Sequence, residues 1–341
     1  MIVPYILAAG YGMRLRPLTL LYPKALIPIL NVPLLQLQFE RLRNVPTDTV
    51  YVNVHYLMER FPDPSTWDTP FTVHYLVERD YPYGTGGAIR NLWHTLGTET
   101  DVLIVNVDTL HGASLEPLLA AAARSDADAV WGVRVLPADA TGYTRFFLHP
   151  DTGRLFMHDG HGRIPVMYAG VALLRRSALR MLPTDYPSDW YRDGIVPAWQ
   201  AGRIRIDAWR MDGPWWDFGH AERFLDTYAD FMHTWATRPQ DLGVLADRIA
   251  ASGRWQATGL WVHPSATVDA TVTVTDWAVV GPHATVERAS LSAAVVDRQA
   301  HVVEATVRRT WIGPRCTVQG FAIEDALCLV DDRQMVQMLS W

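Results

Sequence analysis

The sequence predicts an α/β domain built on a mostly parallel sheet, followed by a coil of short stacked strands. Three observations carry this reading. From Ile2 to about residue 235, short apolar runs alternate with stretches of helical period, the pattern of a largely parallel sheet with helices on both faces. Glycine turns follow two of those runs, at Gly10 and Gly12 and again at Gly84, Gly86 and Gly87. Beyond residue 258, Val262, Val268, Val274, Val280 and Val286 recur at every sixth position, and after an offset Val296, Val302, Ile312 and Val318 resume the step. That period, with small residues between, suits short strands wound around a triangular coil. The expected organisation is a first domain over 1–235, a linker over 236–257 with a helix at Asp241 to Ala251, and the coil with its tail over 258–341.

Composition narrows the function classes. The 341 residues exceed a usual single domain, and 49% are hydrophobic, enough for a substantial core. A net charge of −6 argues against a broad polyanion-binding surface, so no nucleic-acid partner is expected and any phosphate ligand is small and locally held. No apolar run is long enough to span a bilayer, and the N-terminal MIVPYILAAG lacks the basic flank of a signal peptide. Cys316 and Cys328 form no ligand cluster and read as reduced core residues. The expectation is a soluble cytoplasmic protein with no membrane partner.

The elements follow in order. Ile2 to Ala8 is a buried strand, Pro33 to Arg43 a helix, and Thr49 to Val54 and Phe71 to Val77 further strands. Gly84 to Gly87 then open a helix, whose start can lie against a ring or a phosphate. The most hydrophobic strand, Asp101 to Val107, ends at Asp108, where a carboxylate at the edge of a sheet can hold a hard cation; a loop-capping role would also suit it. A helix near Leu115 to Arg124 and a strand at Ala129 to Val135 come next. Thr141 to Met167 is the least regular stretch, and Tyr168 begins another strand. Asp217 lies between tryptophans and a Phe-Gly turn, ahead of a helix starting near His220; a cation partner or an N-cap role would each suit it.

Residues 7 to 35, LAAGYGMRLRPLTLLYPKALIPILNVPLL, stand out. They hold Lys24, the only lysine of the chain, beside Arg14 and Arg16. A compact ammonium differs from the broad guanidinium fork used everywhere else. Glycines directly after a strand, with two arginines, outline a phosphate cradle.

The run LAAGYGMRLRPLT…PKALIP…NVPLL resembles the signature of the sugar-1-phosphate nucleotidylyltransferases. The resemblance implies a Rossmann-like catalytic domain of the nucleotide-diphospho-sugar transferase type and, for the six-residue repeat, an appended left-handed parallel β-helix. It implies that Arg14 and Lys24 contact the nucleoside triphosphate and the sugar 1-phosphate, that Asp108 and Asp217 are catalytic ligands of Mg2+, and that Leu7, Ala8, Gly10, Gly12, Met13, Gly84, Thr85 and Gly86 line the nucleotide. Tyr143, Arg163 and Gly170 are the candidates for the sugar phosphate, with His158 as a substitute for Arg163. Three departures stand: Met13 where the family has Thr or Ser, Val107 where it has Gly, and no Glu-Lys-Pro stretch in the 141–167 region.

The motifs are most similar to those of mannose-1-phosphate guanylyltransferases and heptose-phosphate relatives, ahead of glucose-1-phosphate thymidylyl- and uridylyltransferases. The departures keep open a nucleotide-sugar-binding paralogue without turnover. Acyl transfer on the coil, with His263, His283 or His301 as base, is a further alternative. The flat sides of the coil offer contacts for a homo-oligomer.

Overall fold

The computed structural model describes residues 2–97, 99–136, 141–330 and 336–340. The chain divides into two compact units, one of Met1–Tyr11 and Gln38–Trp215, the other of Gly12–Leu37 and Trp216–Trp341. It passes from the second to the first through helix α1 (Leu34–Leu42).

In the first unit β1 (Ile2–Leu7), β2 (Thr49–Val54), β3 (Thr72–Val77) and β4 (Asp101–Asn106) run parallel in the order β3-β2-β1-β4. Helices α2 (Gly84–Leu96) and α3 (Glu116–Ala123) connect the strands of this unit. The β4 residues Val102, Leu103, Ile104 and Val105 are fully buried, as a strand covered on both faces requires. The sheet continues through β5 (Ala129–Val135), β6 (Phe146–Leu148), β7 (Leu155–Phe156), β8 (Ile164–Leu174) and β9 (Ile206–Arg210). Here β8 runs antiparallel to β4, β5 and β6, while β9 is parallel to β5. Because β1 to β4 share one direction, Ala8, Glu78 and Asp108 all follow carboxyl ends of strands, where ligands of such sheets collect.

In the second unit Gly12–Leu37 forms three 3-10 turns, Met13–Leu15, Leu18–Leu20 and Lys24–Leu26, and a tight antiparallel ladder of Pro28–Ile29 with Val32–Pro33. Helix α4 (Ala221–Thr237) buries Phe224, Leu225, Tyr228, Phe231 and Met232 along one face. The predicted linker helix is α-helical only over Ala246–Ala251; Pro239–Leu245 is a 3-10 segment with non-helical Gly243 inside it (φ 49°, ψ −119°).

The repeat region is a parallel β-helix with three stacks of strands. One stack pairs Val262 with Val280, Val280 with Val296, Val296 with Ile312 and Ile312 with Cys328. A second runs through Val274, Leu291, Val307 and Ile323, and a third through Val268, Val286, Val302 and Val318. The valines of the sequence pattern are the residues turned inward, buried with Cys316 and Cys328. Ser290–Val296 and Thr306–Ile312 each turn a corner within one strand, at Ala293 (φ 49°) and Arg309 (φ 46°). The step shortens to five residues on both sides of Leu291, from Val286 and again to Val296, with left-handed Arg288 (φ 48°) and Ala293 between them, so Leu291 is the inward residue there. Val336–Ser340 closes the sheet antiparallel to Ala326–Val330, while 331–335 and 341 of the expected tail lie outside the described residues. No helix among the described residues is long and apolar enough to cross a membrane.

Candidate active site

The first unit ties its strand ends together with a buried polar chain. Ala8, directly after β1, donates its N–H to Asn53 Oδ1 at 2.6 Å. Asn53 Nδ2 donates to Glu78 Oε1 at 2.8 Å, and Glu78 Oε2 accepts the Tyr83 N–H at 2.7 Å. Tyr83 caps α2, so one carboxylate links the ends of β1 and β2 to the glycine turn. Burial pushes the Glu78 carboxyl up, and the bonds from Asn53 and Tyr83 oppose that push. Sequence reasoning missed Asn53, whose only signal is a polar residue near the end of an apolar run; Glu78 begins the stretch to Tyr83 that the family resemblance ties to base choice.

The glycine turn is shaped chiefly by packing. A Cβ on Gly84 (φ +71°) would lie 2.3 Å from Ser188 O, and one on Gly86 2.8 Å from Ser188 Oγ. The Gly86 N–H is bonded to Ser188 O at 2.7 Å, and Thr85 Oγ1 accepts the Trp190 N–H at 3.2 Å. These glycines are therefore required where α2 meets the segment Ser188–Trp190.

Asp108 is nearly buried, 9% exposed, in the turn after β4. Gln38 Nε2 donates to Val107 O (3.1 Å) and Thr109 O (2.8 Å), and Arg41 Nη1 donates to Gln38 Oε1 (2.6 Å). Arg41 also donates to His111 Nε2. Burial, reinforced by Arg41 and Arg134, drives the His111 imidazole well below its ordinary value, so it stays neutral and can accept. This cluster holds the Asp108 turn from behind, and its members were not singled out from sequence. They are scattered through α1 and the strand Thr109–His111.

Gly170 sits against the same turn, at an irregularity of β8 between Tyr168 and Ala172. Its φ is +89°, and a Cβ there would lie 1.9 Å from Thr109 Oγ1. Gly170→Ala is expected to lose about 2 kcal/mol of stability, from strain and overpacking together, read as a lower denaturant midpoint with an unchanged slope.

Tyr143 joins this region: its ring meets Trp215 edge-on at 5.8 Å, and Trp215 Nε1 donates to Ala169 O at 3.1 Å. Arg163 is engaged elsewhere. Its guanidinium lies 3.6 Å from the centroid of the Phe156 ring and donates to His158 O at 2.9 Å, so Arg163 is held within the loop between β7 and β8.

The second unit carries the basic cluster. Gly12 (φ +62°) starts the first 3-10 turn, and its carbonyl accepts from Thr19 Oγ1 at 2.9 Å. Met13 and Arg14 follow on the exposed side of that turn. Arg14 Nη1 donates to His220 Nε2 at 3.0 Å. A guanidinium has no acceptor, so His220 must offer a lone pair. Burial first, then the positive field of Arg14, lowers the His220 pKa, with Asp217 opposing and Arg223 and Lys24 reinforcing. Those couplings place Arg14, Lys24, Asp217, His220 and Arg223 in one neighbourhood.

Asp217 is 13% exposed; its Oδ1 accepts the Gly219 N–H at 2.8 Å, while Oδ2 lies 3.9 Å from His220 Nε2 and from Arg223 Nη2. Its neighbours Trp216 and Phe218 are buried, which fixes the turn. His220 is the residue sequence reasoning passed over; its signal was a histidine at the N-cap of α4, three positions after the aspartate.

The carboxylates of Asp108 and Asp217 are hard oxygen donors of the kind Mg2+ takes. Among the described residues no group of three or more His, Cys, Asp or Glu gathers as a ready-made cage. Mg2+ bound through one or two carboxylates, water and substrate phosphates needs none. On the β-helix, His263 Nδ1 is paired with Ser265 Oγ at 2.9 Å and His283 occupies a left-handed corner (φ 56°).

Comparison with known proteins bears on both units. Residues 3–147 match the family model described as nucleotidyl transferase. The chain is 26% identical to mannose-1-phosphate guanylyltransferase of Mycobacterium tuberculosis over 270 residues, covering 73% of this chain and 69% of that protein. It is 27% identical to N-acetylmuramate alpha-1-phosphate uridylyltransferase of Caulobacter vibrioides, over 65% of this chain and 94% of that one. Among solved structures, HddC from Yersinia pseudotuberculosis superposes with a TM-score of 0.54 at 21% identity, over 68% of this chain and all of that chain, a likeness of fold.

Proposed function

We propose that the chain is a sugar-1-phosphate nucleotidylyltransferase that transfers a guanylyl group from GTP to mannose 1-phosphate or a closely related sugar 1-phosphate, a reading supported by the nucleotidyl transferase match and the guanylyltransferase relatives. In this reaction a phosphate oxygen of the sugar 1-phosphate attacks the α-phosphorus of the nucleoside triphosphate. The new P–O bond forms as the bond to pyrophosphate breaks, giving the nucleotide sugar. Such chemistry asks the protein for in-line positioning and charge neutralisation.

The observation that carries this reading is the cluster of Arg14, Lys24, Asp217 and His220, in which the positive groups of the signature segment meet a carboxylate. Arg14, held by a neutral His220, offers a fixed fork to phosphate oxygens, and Lys24 adds a mobile point charge. Asp108 and Asp217 are the residues we assign to Mg2+, which when bound would neutralise phosphate charge. The ends of β1 to β3, tied through Glu78, are assigned to the nucleotide, and the Tyr143, Trp215 and Gly170 region to the sugar. With Arg163 engaged by Phe156, Lys24 and the arginines must serve the sugar phosphate without a second lysine.

The same reading includes a cytoplasmic setting, where nucleoside triphosphates are at hand, and a homo-oligomer built on the β-helix faces. Pyrophosphate release with GTP, dTTP, UTP, ATP and CTP, each crossed with several sugar 1-phosphates in Mg2+, tests it. The expected result is the highest kcat/KM for GTP with mannose 1-phosphate. A preference for dTTP or UTP with glucose 1-phosphate replaces the substrate assignment, and binding without pyrophosphate from any pair overturns the activity.

A further inference from the structure

The segment that carries Arg14 and Lys24 is fastened to the β-helix by a buried hydrogen-bond junction. Tyr22, 4% exposed, donates its hydroxyl to Asp297 Oδ2 at 2.7 Å. The same oxygen accepts from Trp311 Nε1 at 2.9 Å, and Asp297 Oδ1 accepts the Arg298 N–H at 2.6 Å. The Arg298 guanidinium lies 5.5 Å from the centroid of the Tyr22 ring. Asp297 is 4% exposed and Trp311 fully buried, so water cannot readily replace either partner.

Two further bonds fasten the same segment: Asn31 Nδ2 donates to Val280 O at 3.3 Å, and the Leu30 N–H donates to the Tyr228 hydroxyl at 2.7 Å. Tyr228 stacks on Trp277 of the β-helix with ring centroids 5.1 Å apart and planes within 2°. These contacts all fall within one compact unit.

Tyr22 is well placed to transmit this hold. It lies between the turn Leu18–Leu20 and the turn Lys24–Leu26, with only Pro23 separating it from Lys24. The proline ring fixes the backbone there (φ −58°), so a fixed Tyr22 fixes the direction in which Lys24 leaves the chain. A carboxylate accepting two side-chain donors on one oxygen is a costly arrangement to bury, and it is retained here where it meets the phosphate-binding segment.

We propose that Asp297 is a positioning residue: through Tyr22 and Trp311 the β-helix sets the turn that presents Lys24 to the reacting phosphates, making the C-terminal domain a working part of the phosphate site. The proposal rests on the nucleotidyl-transfer reading for its kinetic consequence, and on geometry alone for its structural one. Both are measured in the full-length protein, wild type beside Tyr22→Phe and Asp297→Asn. Tyr22→Phe removes one hydroxyl and keeps the ring, so it remains informative if the aspartate variant folds poorly.

Amide hydrogen exchange is expected to speed up about tenfold across residues 12–27 in either variant, while the β-helix strands at 278–280 and 290–296 keep their protection. In steady state kcat is expected to fall about tenfold with KM for both substrates changed less than twofold, the double variant being no worse than Asp297→Asn alone. Exchange over residues 12–27 equal to wild type, or additive losses in the double variant, overturns the proposal. A wild type that releases no pyrophosphate overturns the activity instead, and the exchange result then decides the positioning role by itself.

Discussion

Lys24→Ala is expected to lower kcat/KM about a hundredfold and to leave the fold unchanged, and Lys24→Arg is expected not to restore the rate. The size of the loss is that of removing one well-placed charge from a transition state, on the order of 3 kcal/mol. Lys24 begins a 3-10 turn whose next residue, Ala25, is buried, so the backbone is held by its neighbours and the side chain can be truncated without opening the core. The arginine variant carries the same charge on a broad plane. Beside Arg14 and Arg223 a further fork cannot take the place of a compact ammonium. Initial rates of pyrophosphate release with circular dichroism of the same samples check this; a rate for Lys24→Ala within threefold of wild type removes Lys24 from the mechanism.

Asp217→Asn is expected to cost at least as much, through charge alone. The amide keeps an oxygen to accept the Gly219 N–H, now at 2.8 Å, so the turn ahead of α4 survives. What it loses is the negative charge that balances Arg223 at 3.9 Å and that we assign to Mg2+. The expected result is a kcat down by about a hundredfold or more, with the Mg2+ concentration for half-maximal rate shifted upward. Chelation of divalent cations in the wild type should abolish turnover in parallel. An unchanged Mg2+ dependence in the variant removes Asp217 from the ligand set.

Much of the fold was legible because its signals are local. The apolar run Val102 to Val105 announces a strand buried on both faces, and the six-residue recurrence of valine announces strands that each bury one inward residue per side of the coil. The site was legible in part. Arg14, Lys24 and Asp217 were singled out by motif, and the structure brings them into one neighbourhood of the second unit. Asn53, Arg41, His111 and His220 were not found, because each acts on a residue distant in sequence: Asn53 on Ala8, Arg41 on His111, His220 on Arg14. A single polar residue in an apolar run carries no sign of its partner.

The sequence by itself determined the element types, the glycine turns, the coil and the residue chemistry of the segment bearing Arg14 and Lys24, since periodicity and backbone preference act over a few neighbouring residues. Only the tertiary structure decided that the glycines of the second turn are there to admit Ser188, that Arg163 is spent on the Phe156 ring, and that the segment bearing Lys24 is fastened to the β-helix. Those are contacts between stretches as far apart as Tyr22 and Asp297. Folding brings them within hydrogen-bond reach, and desolvation then makes each partner costly to lose.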